Sequence, residues 1–122
     1  MATFWPSERS FPVDRSDATN SEMAALFAAD QAARQNHGKI DWTIVAPQDA
    51  QRRHRARELL DAGALRSGDD FYQAAYIFQH GTEAGHYLLA HTLAMIAVAR
   101  GRPDALWIAS AALDRYLQAV GQ

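Results

Sequence analysis

Three glycines, Gly81, Gly101 and Gly121, stand twenty residues apart and constrain this chain more than any other feature. Each interval holds about four helical turns and a tight turn. Gly is suited to the left-handed conformation that ends helices. Helix-starting residues follow at once: Thr82-Glu83 after Gly81, and Pro103-Asp104 after Gly101. Such short turns make consecutive helices antiparallel neighbours. The C-terminal part is therefore expected to be helical hairpins in the style of a helical repeat. With at most two such units, the spacing favours a compact bundle over an extended solenoid.

The rest of the chain extends this all-α reading to about five helices. Thr19 and Glu22 form a capping-box pattern for a first helix over roughly 21–35, which stops near Asn36-His37-Gly38. The run Ile40 to Val45 is apolar and partly β-branched, and reads as an extended linker. Pro47 and Asp49 suit the start of a second helix, closed by Leu59, Leu60 and Gly63. Ser67-Gly68-Asp69-Asp70 starts a third, with Phe71, Ala74, Ala75 and Phe78 on its core side. The fourth carries Leu88, Leu89, Leu93 and Ile96 around most of its circumference, the pattern of a buried central helix. In the fifth, Leu106, Ala109, Leu113, Leu117 and Val120 form one stripe. Trp107, Tyr76, Tyr87 and Tyr116 are expected to wedge the bundle. Residues 1–20 hold Pro6 and Pro12 with aromatics Phe4, Trp5 and Phe11 and keep no period, so they read as an irregular arm laid against a domain spanning 21–122.

Composition agrees and narrows the function classes. At 122 residues, 48% hydrophobic and 21% charged, the chain fits one domain able to fold alone. Alanine, the strongest helix former, occurs 25 times. A formal net charge of -2 gives no general attraction to nucleic acid or anionic lipid. Without cysteine there is no disulfide framework and no thiolate chemistry. No secretory pattern opens the chain and charges interrupt every apolar run, so a cytoplasmic protein with no membrane partner is expected.

The candidate chemistry lies in a few polar residues. Asp30, Gln31 and Arg34 cluster on the first helix, with Asp30 and Arg34 spaced as an i, i+4 pair. They are either a surface ion pair or an inward clamp for a carboxylate or phosphate. His80 precedes the Gly81 turn. His91 sits among leucines and reads as a satisfied core histidine, or as a neutral acid-base group. Antiparallel pairing about Gly101 brings Asp114 and Arg115 level with residues 87–88, near His86. Glu83 and His86 have the Glu-x-x-His spacing of half a carboxylate-bridged metal site, and His80 is a third possible ligand. No second such pair exists, so capping is the simpler reading and neither metal nor cofactor is expected. Arg52, Arg53, His54, Arg55 and Arg57 advance around their helix instead of lining a stripe. Asp49 and Asp61, i, i+4 to Arg53 and Arg57, partly neutralise them, so no nucleic-acid partner is expected. Phosphate loops, nucleophile elbows and His-Glu-x-x-His are absent from the sequence.

Taken together, Asp30-Gln31 with Arg34, Gln79-His80-Gly81, Tyr87 to His91, the Gly101 turn, Ala105 to Trp107 and Asp114-Arg115 with Leu117 give a pattern that resembles a family of uncharacterised bacterial helical proteins, a domain of unknown function. The likeness covers residues 22–122. It implies a helical fold and supplies no activity. Members commonly continue past the matching Gly-Gln with a short Pro-Gln and Gly-Thr-Gln tail, where this sequence has Gly121-Gln122. The resemblance gives weight to Asp30, Gln31, Arg34, His80, Asp114 and Arg115 as a shared polar pocket.

Three functions follow as expectations. The first is a binding module taking a small anionic ligand or a protein partner, another copy of itself included, with Asp30, Gln31, Arg34, His91 and Arg115 as ligand-binding residues. The second is a small hydrolytic or acid-base enzyme with His80 catalytic, Asp30 or Asp114 orienting it, and Arg34 or Arg115 holding an anionic substrate. The third is a scaffold presenting a helical surface, which requires exposed apolar residues.

Overall fold

The computed structural model describes residues 18–35 and 38–121, so most of the arm, with Phe4, Trp5 and Phe11, and the Asn36-His37 pair lie outside the described residues. Those described form five α-helices and no strand: α1 Ser21–Ala33, α2 Trp42–Asp61, α3 Gly68–Gln79, α4 Ala84–Ala99 and α5 Ala105–Ala119. None is long and apolar enough to cross a membrane.

Local chemistry sets most boundaries. Asn20, one residue past the expected Thr19, caps α1 by accepting from the Met23 amide at 2.8 Å. Thr19 instead donates to Asp69. Ser67 and Asp70 form a reciprocal capping box at α3. The Asp70 carboxylate, 1% exposed, also accepts from the amides of Asn20 and Arg66, which ties the entry of α1 to α3. At the end of α2, Gly63 takes φ +71, Ala64 N–H bonds Leu59 O and Gly63 N–H bonds Leu60 O. The α4–α5 turn repeats this pattern at Gly101, with φ +99 and bonds from Arg102 to Ala97 and from Gly101 to Val98.

Gly81 ends α3 for a different reason. A Cβ there would collide with the His86 side chain. That ring is turned back so that Nδ1 accepts from the amides of Thr82 at 2.9 Å and Glu83 at 3.3 Å, capping α4.

The expected linker over 40–45 is corrected. Asp41 caps α2 by accepting from the Thr43 amide and hydroxyl at 3.0 and 2.6 Å, so the helix already runs through Trp42 to Val45. Capping outweighs the weak helix preference of Thr43, Ile44 and Val45. Pro47 then lies inside the helix, five residues past its start.

The hub is α3, which packs against each of the other four helices, while α4 sits between α3 and α5 and α1 packs on α2 and α3. The core joins Met23, Leu59, Leu65, Phe71, Ile77, Phe78, Leu93 and Ile108. Phe27 of α1 meets Tyr72 and Tyr76 of α3 edge-on, with ring centroids 6.2 and 5.8 Å apart, and the two tyrosines are tilted against each other at 5.1 Å. Central burial all round is not a property of α4, since Leu88 and Met95 are 42% and 43% exposed.

The face of α5 is likewise the opposite of the expected stripe. Ala105, Ile108, Ala109 and Ala112 are buried, whereas Leu106, Leu113, Leu117 and Val120 are 36–51% exposed. Trp107 is 68% exposed and wedges nothing. The α4 side of the seam is also small-residue, with Ala90, Ala94 and Ala97 buried. Alanine on both sides lets the helix axes approach closely and turns the bulky side chains outward.

Candidate functional site

Asp30 lies two and a half turns into α1 on the face turned toward α3, and is 1% exposed. A carboxylate so buried must be matched by donors. Oδ1 accepts from Arg34 Nη1 at 3.0 Å and faces His80 Nδ1 at 2.9 Å, while Oδ2 accepts from Gln31 Nε2 at 3.0 Å. The contact pairs one ring nitrogen of His80 with the Asp30 carboxylate and leaves Nε2 as the other ring nitrogen.

Arg34, the C-cap of α1, carries the chain of charges to α2. Its two terminal nitrogens grip the Asp49 carboxylate at 3.0 and 2.6 Å, and Arg52 Nη2 holds the same carboxylate at 2.6 Å. Burial pushes the Asp49 carboxyl upward, but the bonds and charges of Arg34 and Arg52 outweigh it and hold the group below its ordinary range. Burial likewise works against the Arg34 charge, and the Asp49 bonds with the Asp30 and Asp49 charges more than restore it. His80, Asp30, Arg34, Asp49 and Arg52 thus form one line across the junction of α1, α2 and α3, with two carboxylates balancing two guanidinium groups.

His80 is placed by the backbone as well. As the C-cap of α3 it accepts at its carbonyl from Arg53 Nη1 at 3.1 Å, and its side chain is 20% exposed. Arg115 reaches the neighbouring Gln79 carbonyl at 3.3 Å and lies over the Tyr87 ring, 4.9 Å from its centroid. Tyr87, buried, donates to the Gly81 carbonyl.

Asp30, Gln31, Arg34 and His80 are therefore brought together, with Arg115 one residue along the backbone. Three of the other candidates sit elsewhere. Asp114 is exposed on α5, and His86 faces the α4 cap instead of Asp114. His91 Nδ1 bonds the Ala109 carbonyl at 2.8 Å, a latch between α4 and α5. Among the described residues no three His, Asp or Glu side chains are grouped to hold a metal ion.

The sequence reading puts Asp49 and Arg52 in a partly neutralised basic helix face and not in the polar pocket. Asp49 has the i, i+4 spacing to Arg53, yet it bonds Arg52 three residues on and Arg34 across the helix interface. The Arg57–Asp61 pair does form, at 3.0 Å on the surface.

Two open grooves flank α2. One, of about 720 Å³, runs between Leu26, Ala29 and Ala32 of α1 and Gln48, Gln51 and Arg52 of α2. The other, of about 530 Å³, lies between Arg53 and Arg57 of α2 and Phe78, His86 and Leu89.

No family model matches the chain, and neither a curated protein nor a solved structure matches it.

Proposed function

We propose that this protein is a binding module that engages the apolar helical surface of a protein through the outer face of α4 and α5. The observation that carries the reading is the inversion of α5: Leu106, Leu113 and Leu117 stand exposed while alanines pack inward. Together with Leu88, Met95, Trp107 and Val120, these residues leave roughly 600 Å² of apolar surface open, at the top of what single-chain proteins ordinarily show. Folding alone gives no reason to leave that much leucine in water.

The small-ligand form of the reading has less behind it. An anion clamp needs free guanidinium donors, and Arg34 has both terminal nitrogens committed to Asp49 and Asp30. A photocrosslinking residue at Ser110, inside the apolar stripe of α5, tests the proposal in cells that make the protein. One discrete protein adduct is expected, lost when Leu106→Asp is added, with none from the same probe at Asp61. Absence of any adduct from Ser110 sinks the reading.

A second reading rests on the contact between Asp30 and His80. A buried carboxylate fixing the tautomer of a partly exposed imidazole is the arrangement used for general acid-base work. Asp30 then orients His80, and Arg115, which bonds the Gln79 carbonyl and lies over the Tyr87 ring, meets an anionic substrate in place of Arg34. A thermal-shift screen on wild type and His80→Ala tests it. A stabilising compound whose effect disappears in the variant supports the reading, and one whose effect is unchanged removes His80 from the site.

A further inference from the structure

The outer face of α4 and α5 is built as two parallel uncharged stripes. On α4 the exposed positions Leu88, Thr92, Met95 and Ala99 follow one another at helical spacing. On α5 the exposed positions Leu106, Ser110, Leu113, Leu117 and Val120 do the same. No charged side chain interrupts either row. Spacings of three, four and seven residues are those by which one helix presents a seam to another.

The two rows lie side by side on one face. The His91–Ala109 bond and the stacking of Arg115 over Tyr87 fix how α4 and α5 run past each other. Leu88 therefore stands level with Leu113, and Met95 level with Leu106. The buried residues of α4, among them Ala90, Leu93 and Ala97, are on the opposite side of that helix from Leu88 and Met95. The exposed rows thus form a surface two helices wide, with the rest of the bundle behind it.

We propose that the occupant of this surface is a second copy of the same chain, pairing face to face so that two α4–α5 hairpins make a four-helix bundle about a two-fold axis. This rests on the reading that the face binds protein, and adds which protein. Three features favour a second copy. A face two helices wide is matched by another such hairpin, whereas a single peptide helix leaves one stripe uncovered. Neither row carries a charge, so two copies meet without like charges opposed, although the chain as a whole is acidic by two. The area reaches what a stable pair needs when the rim takes part: with Trp107, which shares the outer edge of α5 with Asp114, about 600 Å² from each copy gives roughly 1,200 Å² in total, the lower limit of specific stable interfaces.

In such a pairing Leu88, Met95, Leu106 and Leu113 lie at the centre. Thr92, Ser110 and Ala99, smaller, leave the hollows into which a neighbour's leucines fit. Met95 is the adaptable group that fills what remains. Asp114 and Gln118, exposed along the outer edge of α5, supply a polar rim.

The test is sedimentation velocity on the full chain from low to several hundred micromolar, with Leu113→Asp and Met95→Lys alongside and circular dichroism as the fold control. Wild type is expected to reach twice the chain mass of 13.5 kDa at the upper concentrations. Each variant should weaken association by at least about tenfold, as for residues at the centre of an interface. A wild type that stays monomeric overturns the second copy as occupant, while leaving the Ser110 crosslink to decide whether another protein docks there. A dimer that survives both substitutions uses a different face, and overturns the proposal. Both variants are at exposed positions, so helicity is expected to be unchanged. Should one of them lose its fold, the other and the smaller change Leu113→Ser carry the measurement.

Discussion

His80 Nδ1 meets the buried carboxylate of Asp30 at 2.9 Å across fifty residues of sequence. The bond joins the end of α3 to the last turns of α1, and through Arg34 it reaches Asp49 and Arg52 on α2. Three helices are thereby locked by one chain of alternating charge. Asp30, Arg34 and Asp49 keep their partners only while their neighbours hold position, so the cluster sets the register of the junction as well as presenting His80.

Removing one charge from this line should cost far more than removing a surface pair. Asp30→Ala leaves the His80 imidazole and part of Arg34 without the acceptor they face, and is expected to lower stability by about 3 kcal/mol in urea unfolding. Arg34→Ala strips donors from two buried carboxylates and should cost a similar amount. Because the two residues share one bond, the double variant should fall short of the summed losses by at least about 1 kcal/mol. Strict additivity would show that the pair is not coupled.

Two glycines in neighbouring helices should respond in opposite directions to the same substitution. At Gly68 a Cβ would come within 2.7 Å of the Arg100 carbonyl oxygen, a backbone atom that cannot turn aside. Gly68→Ala is expected to destabilise by about 1–3 kcal/mol through that overpacking. At Gly85, in the first turn of α4, nothing lies within 4 Å of the added carbon. Gly85→Ala should stabilise by about 0.5 kcal/mol, from helix preference alone. Thermal midpoints that move the same way for both would contradict the packing described around α3.

The contrast between signals that are local and those that are not explains how much of this was legible in the sequence. Ser67-Gly68-Asp69-Asp70, Gly63 and Gly101 announce helix ends because the groups that satisfy the backbone lie within a few residues. The Asp30–Arg34 pair was visible for the same reason. Asp41 is a cap of equal quality, but the β-branched run behind it reads as extended, and only tertiary packing of Val45 reveals the helix. Arg34 finds Asp49 fifteen residues away on another helix, which no spacing encodes. On α5 residue size does not mark burial, because the seam with α4 selects alanine and leaves the leucines outside.

That inversion is open to a direct stability measurement on dilute protein, where association contributes least. Ile108, 1% exposed on the alanine face, should cost about 2–4 kcal/mol when changed to Ala. Leu106, 51% exposed two residues earlier, should change stability by no more than about 0.5 kcal/mol under the same substitution. Equal losses would mean that Leu106 is buried and that α5 packs as its larger residues suggest.

The pH dependence of stability should carry a component from His86. Burial disfavours its charged form most, the nearby Arg53 charge adds to this, and Glu83 opposes it in part, so its pKa is lowered from the ordinary 6.5. Protonating Nδ1 would also remove the acceptor used by the Thr82 and Glu83 amides. The unfolded chain therefore binds a proton at this position more readily than the folded one. Stability from this group is complete above pH 6.5 and is lost as pH falls from there through the lowered folded value, with no further loss below it. His86→Gln keeps an acceptor at the third position of α4 without a titrating ring. Its thermal midpoint, followed from about pH 7.5 to about pH 5 across the histidine range, should fall less steeply than that of wild type. Parallel curves would show that the neutral imidazole is not what holds the start of α4.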